Sequence, residues 1–262
     1  MNSILIIAVL AVAVIFSMLG LGGGVLYVPI LMSAGIPFHN AVATSLLIML
    51  VMSLTAAVVY HQNKLIDWKL LFMLEPFSII GAVIGSCNSN MFPIKALYLI
   101  FAAAMLGSAI LTFTGPKTAV NPVKKVFPGI LQHTKKGEHY YVNLWLGIPI
   151  SFVAGFVSSI IGIGGGFAKV PMMTLAFGMP VNSVAATSSA MIVMTCLSGF
   201  IGHGAIGHVD FRFAGILAVV VFIGAIIGSK ISVKTDKRFL NLLFAVLQVF
   251  IAGWMVFKAV QG

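Results

Sequence analysis

Six stretches of this chain, 38–60, 69–88, 95–113, 181–203, 211–232 and 239–258, are each apolar over about the length of a bilayer crossing. At the rise of an α-helix, about 20 residues span the roughly 30 Å hydrocarbon core. Two more apolar stretches, 4–31 and 142–175, are longer but broken by glycines. Of the 262 residues, 60% are hydrophobic and only 8% are charged. Soluble domains carry about three times as many charges, so these residues cannot cover a water-facing surface. The composition excludes a disordered chain, a disulfide scaffold and a cytosolic enzyme. The fold class is all-α and polytopic. The first stretch is read as part of the fold and not as a signal peptide, because Met1-Asn2-Ser3 holds no Lys or Arg and no small-x-small cleavage site follows.

The chain also repeats itself. Gly22-Gly23-Gly24-Val25-Leu26-Tyr27-Val28-Pro29 matches Gly164-Gly165-Gly166-Phe167-Ala168-Lys169-Val170-Pro171. After a one-residue insertion the register continues: Pro37 with Pro180, Ala43-Thr44-Ser45 with Ala186-Thr187-Ser188, Asp67-Trp68 with Asp210-Phe211. The segments 81–86 and 224–229 follow in the same register. Apolar helices resemble one another by chance, but not with Gly, Pro, Thr-Ser and Asp held in one register. The expected organisation is a first transmembrane repeat over 1–114, a basic loop over 115–141 and a second repeat over 142–262.

Charge bears on how the copies are oriented. Lys and Arg number 15 against 5 Asp and Glu, a net charge of +10. If the segment before each glycine break crosses and the piece after it is merely re-entrant, the copies are parallel. The loop cations then divide nine to five. If each broken segment is a hairpin that enters and leaves on one side, the copies are inverted. Lys64, Lys69, Lys117, Lys124, Lys125, Lys135, Lys136, Lys230, Lys234, Lys237 and Arg238 then share one side, and Lys95, Arg212 and Lys258 the other. Eleven against three obeys the positive-inside rule better. The expectation is therefore two inverted repeats, each a glycine-broken hairpin plus three transmembrane helices. Both termini lie outside and the 115–141 loop is cytoplasmic.

Irregular backbone inside a bilayer leaves N–H and C=O groups unpaired, at several kcal/mol per group (order of magnitude), unless it is buried in protein or lines a wet cavity. Glycine permits the reversal. The short helix after each break turns free N–H groups and a positive dipole end toward the gap, a setting suited to a small anion. Pro29 and Pro171 are expected in the first turns, where a missing N–H is harmless. On this reading the amides of Gly22, Gly23, Gly24 and Val25, and of Gly164, Gly165, Gly166 and Phe167, cradle the anion. The competing reading is close helix packing through small residues.

The run Gly20-Leu21-Gly22-Gly23-Gly24 to Pro29, repeated as Gly162-Ile163-Gly164-Gly165-Gly166 to Pro171, resembles the TauE/SafE sulfite-exporter family. The two Ala-Thr-Ser segments and the basic mid-chain loop resemble it too, over essentially the whole chain. The resemblance implies a small-anion transporter acting on sulfite, sulfoacetate or related organosulfonates, and it is the sole source of an export direction.

Several single residues have two readings. Thr44, Ser45, Thr187 and Ser188 are hydroxyls that either contact the anion or bond back to their own helices. Lys169 is the one cation the hairpin assignment leaves in the membrane; it pairs with an anion or snorkels to an interface. Glu75 is a proton-coupling candidate or a structural partner. Asp67 and Asp210 read as helix N-caps, His61 and His203 as interfacial, and Cys87 and Cys196 as packing residues. No spacing resembles a metal site, nucleotide loop or nucleophile triad. The expected function is secondary transport of a small oxyanion across the inner membrane by alternating access. No enzyme activity, cofactor or nucleic acid is expected; the partners are the anion, the lipid bilayer and a candidate coupling proton. An anion channel on the same scaffold and an intramembrane enzyme using His203 or Glu75 are the alternatives.

Overall fold

The computed structural model describes residues 3–88, 129–135, 138–204 and 211–261, with Leu99 and Leu106. The helix expected over 95–113 (but for those two residues), most of the 115–141 loop, His208 and Asp210 lie outside the described residues. The elements in chain order are α1 Ser3–Leu19, α2 Gly24–Ser33, α3 Phe38–Gln62 and α4 Trp68–Cys87, then the strands β1 Ile130–Lys135 and β2 Glu138–Asn143. They continue as α5 Leu144–Ile161, α6 Gly166–Pro171, a π-helical turn Met172–Ala176, α7 Val181–Gly204, α8 Phe211–Lys234 and α9 Lys237–Gln261. Among the described residues five helices, α3, α4, α5, α7 and α8, hold segments long and apolar enough to cross a membrane. The fold is all-α apart from the short hairpin.

Local chemistry accounts for the helix boundaries. The Asp67 carboxylate accepts from Leu70 N–H at 3.1 Å and caps α4, as the sequence led us to expect. Asn143 caps α5 by accepting from Leu146 N–H. The prolines depart from expectation. Pro29 lies six residues into α2 and Pro171 closes α6, so neither sits in a first turn. A proline there removes an interior helix bond. After Pro171 the chain relaxes into the wider π register, with Phe177 N–H reaching Met172 C=O.

Helix pairs across the two halves pack reciprocally: α1 on α8, α5 on α4, and α3 against α7. Small residues bring the backbones close. A Cβ on Gly155 would stand 2.0 Å from Ser78 C=O, one on Gly81 2.2 Å from Phe152 C=O, and Gly85 abuts Phe156 and Ser159. Residue numbers rise together along this contact, so α4 and α5 run in the same direction. Along α1 and α8, Gly224 meets Leu10 and Ala13, Gly228 meets Val14 and Ser17, and Ser232 donates to Met18 C=O. That pair is parallel too. In contrast, α3 and α7 are antiparallel: Leu46, near the start of α3, lies against Gly199 near the end of α7. Beyond the far end of α3, Asp67 N–H donates to Thr187 at the start of α7.

The β-hairpin was not expected. It pairs Ile130 with Asn143 through Lys135 with Glu138, and it is tied down at its base. Tyr140 donates to the Asp67 carboxylate, Tyr141 N–H to Phe177 C=O and Leu144 N–H to Gly129 C=O. Burial, followed by the bond to Asp67 and its charge, raises the Tyr140 pKa, so the phenol stays protonated as a donor. One residue thereby links the loop to the cap of α4.

The close helix contacts make a direct prediction. Gly155→Ala and Gly228→Ala force a methyl group to within 2.0 and 2.1 Å of carbonyl oxygens and cost about 1–3 kcal/mol each. Gly215→Ala, which faces open space, leaves stability unchanged or slightly raised. Thermal unfolding in detergent micelles checks the contrast.

Candidate functional site

The glycine triplets are chain reversals. Gly22 and Gly23 have φ of 91° and 75°, and Gly164 and Gly165 have 89° and 69°, a region closed to most side chains. After the first break, α2 runs back along α3: Gly24 lies by Met49, and Val28 and Val42 share the space beside Gly162. By contrast α1 ends where α3 ends, with the Tyr60 hydroxyl donating to Ser17 C=O at 2.8 Å. The chain therefore folds back on itself at the break.

The two breaks meet. A Cβ on Gly24 would stand 2.2 Å from Gly162 C=O, and one on Gly166 would stand 2.7 Å from Leu21 C=O. Each loop thus occupies the space a side chain would need on the other. Between them lie Met49 and Ile192, which match in the repeat and sit at the middles of α3 and α7. Both are fully buried. Some loop amides are already used: Gly166 N–H donates to Gly164 C=O, and Leu26 and Tyr27 N–H to Gly23 C=O. Val25 and Phe167 are buried at the two helix starts.

The hydroxyl pairs lie in the same region with an additional duty. Ser45 donates to Gly162 C=O at 3.0 Å, and Ser188 to Gly20 C=O at 2.6 Å. Each hydroxyl therefore pairs a carbonyl exposed by the opposite copy's break, which is how irregular backbone survives at this depth. Thr187 accepts from Asp67 N–H. Thr44 is buried on α3. Of the four expected residues, Ser45 and Ser188 touch the breaks, and their protons are spent on protein carbonyls; Thr187 is engaged by Asp67 instead.

Lys169 and Glu75, weighed separately in the sequence, form one unit. The Lys169 ammonium donates to Glu75 Oε2 at 2.7 Å and to Thr195 Oγ1 at 3.0 Å. Thr195 in turn donates to Glu75 Oε1. The Lys169 and Glu75 side chains are 0% and 2% exposed, so Lys169 does not snorkel. The Lys169 side chain passes the second break: a Cβ on Gly165 would stand 3.8 Å from its Cε and 3.6 Å from Thr195 Cγ2. The unit joins the halves, with Glu75 on α4 and the other two residues on α6 and α7.

The sequence reading missed Thr195. In the repeat register Lys169 matches Tyr27, Thr195 matches Met52 and Glu75 matches Ala218. At the equivalent place Tyr27 donates to the Met52 thioether. The signal was therefore present: Glu75 on the first copy and Lys169 and Thr195 on the second each depart from the residue at the matching position of the other copy, and the three converge in space. Elsewhere, His61 is exposed and meets the Trp68 ring edge-on. Cys87 is exposed and Cys196 buried, both as free thiols. Among the described residues no group of three or more His, Cys, Asp or Glu is placed to hold a metal ion.

A family model described as "Sulfite exporter TauE/SafE" matches residues 5–255. The chain is 29% identical to the "Probable membrane transporter protein YunE" of Bacillus subtilis, covering 98% of each chain. It is 26% identical to a "Probable membrane transporter protein" of Methanocaldococcus jannaschii, covering 92% of this chain and 90% of that one. A third, from Haemophilus influenzae, is 25% identical over 96% and 94% of the two chains. No solved structure is a significant match.

The buried pair predicts strong non-additivity. Glu75→Ala strands an uncompensated ammonium and destabilises the fold by about 3–5 kcal/mol. Combining Glu75→Leu with Lys169→Met removes both charges and recovers most of that loss. A double-mutant cycle on unfolding in micelles measures the coupling; additive effects would break the assignment.

Proposed function

Since the chain belongs to the sulfite exporter TauE/SafE family, it is a membrane transporter, and we propose that it carries a small oxyanion by alternating access. Sulfite or an organosulfonate is the substrate class. The observation that carries this reading is the buried Lys169 ammonium beside the second glycine break. A cation kept at membrane depth is expensive and serves a polar route or ligand. Glycine loops admit a ligand close to backbone N–H groups. On this reading the amides around Gly22–Val25 and Gly164–Phe167, with Lys169, receive the anion. Ser45 and Ser188 keep the two loops in place around it, and Thr44 and Thr187 complete the site.

Filling of the crossing by the Met49 and Ile192 side chains favours a carrier over an open channel. The chain has no phosphate-loop motif, so transport is secondary, with export as the working direction.

For topology, we infer that the two halves are inverted. The antiparallel run of the equivalent helices α3 and α7 supports this, as do the parallel pairs α4–α5 and α1–α8. So does the eleven-to-three division of cations. The termini then face outward from the inner membrane, and the hairpin around Lys135 faces the cytoplasm.

Two experiments test this reading. In a background free of reactive cysteines, Gly262→Cys is labelled by an impermeant maleimide on intact cells, whereas Lys135→Cys is labelled only after lysis. The reverse pattern removes the orientation. Purified protein in liposomes takes up labelled sulfite, thiosulfate or methanesulfonate saturably. Gly23→Val and Gly165→Val, which cannot hold the left-handed backbone, bring that flux to background. Absence of flux for every one of these anions removes the transport reading.

A further inference from the structure

The Lys169–Thr195–Glu75 unit is electrically neutral, buried and present on one side only. Its repeat equivalent, Tyr27, Met52 and Ala218, holds no charge. Neutrality constrains what can bind beside it. If a monoanion approached Lys169 while Glu75 stayed ionised, the unit would hold one positive and two negative charges. An uncompensated charge at this depth is strongly unfavourable. If Glu75 takes up a proton as the anion arrives, the count returns to one positive and one negative charge.

Thr195 is placed to ease that exchange. Its hydroxyl now accepts from Lys169 and donates to Glu75. A protonated Glu75 has a proton of its own to donate, and a hydroxyl serves equally as donor and acceptor. Thr195 thus remains paired in both states. Among the described residues, the other groups near Glu75 do not supply a competing charge. Cys196, beside Thr195 on α7, is a buried thiol close to both charged groups. The α5 segment packed on α4 has no acidic, basic, Cys or Tyr side chain.

Resting on the transport reading above, we propose that the Lys169–Glu75 pair is the coupling element. A monoanionic sulfonate replaces the Glu75 carboxylate on Lys169 as Glu75 takes one proton from the solution to which the site is open. On release, the proton leaves and the pair re-forms. One proton moves with each anion, in the same direction, and transport is electroneutral. Because only one of the two equivalent positions holds the pair, the stoichiometry is one and not two.

Liposomes containing a pH dye test this with methanesulfonate and isethionate, which remain monoanions across the accessible pH range, so any proton that moves is bound by the protein. An inward gradient of either acidifies the lumen by one proton per anion, and an imposed membrane potential leaves the flux unchanged. In E75Q, whose carboxamide cannot take up a proton, the flux carries no proton and becomes potential-dependent. K169Q loses flux and acidification together. A merely structural pair would leave stoichiometry and potential dependence unaltered in any variant that still folds. Wild-type flux that responds to potential without acidification overturns the coupling, as does acidification that persists in E75Q. Sulfite uptake with no uptake of either sulfonate overturns this inference and leaves the transport reading standing. Uptake of none of these anions, thiosulfate included, overturns both.

Discussion

Everything in this fold depends on satisfying two stretches of non-helical backbone at the depth of a membrane. Each break exposes carbonyls that no helix can pair, and each is paired by the other half: Ser45 on Gly162, Ser188 on Gly20. The glycines at 24 and 166 exist because a side chain would strike the opposite loop. The two halves therefore do not merely sit side by side. Neither break can persist without the other, and this mutual dependence explains why both copies keep the Gly-Gly-Gly and Thr-Ser elements in matched register. Packing and binding then cease to be rival explanations of the glycines. The close packing is what allows irregular backbone to exist there, and the proposed anion site depends on that backbone.

On this near-symmetric frame one asymmetry stands out chemically. The equivalent positions hold Lys169, Thr195 and Glu75 at one place and Tyr27, Met52 and Ala218 at the other. A symmetric pair of buried ion pairs would double the desolvation penalty without adding a distinct role. Retaining one gives the two halves different electrostatics on the same geometry. The hairpin adds a second asymmetry, since Tyr140 ties the mid-chain loop to Asp67, the cap of α4 and the partner of Thr187. Glu75 lies two turns farther along the same helix, so the loop and the ion pair share one rigid element.

Much of this was legible in the residues. Apolar runs placed the helix ends to within three residues wherever comparison is possible, because hydrophobic length and capping act locally. Asp67 was legible as a cap for the same reason. The prolines fall in second turns and not first ones because the helices start at Gly24 and Gly166, five residues before each, and the π register that accommodates Pro171 has no sequence signature. The β-hairpin was missed because its strands are short, and their stability comes from docking Tyr140 and Tyr141 onto distant residues.

By itself the sequence determined that the chain lives in a bilayer, that its Gly-Gly-Gly, Pro and Thr-Ser elements recur in one register, and that the helices break at those glycines. These follow from hydrophobicity, register and backbone freedom, which are properties of residues along the chain. Only the tertiary structure decided which hydroxyl serves which carbonyl, that the breaks lock into one another, and that Lys169 has Glu75 and Thr195 for partners. Those facts concern contacts across 26 to 168 positions of separation. A charge in a membrane must find a counter-charge, but sequence cannot say which, because the choice is made by the helices that pack between them.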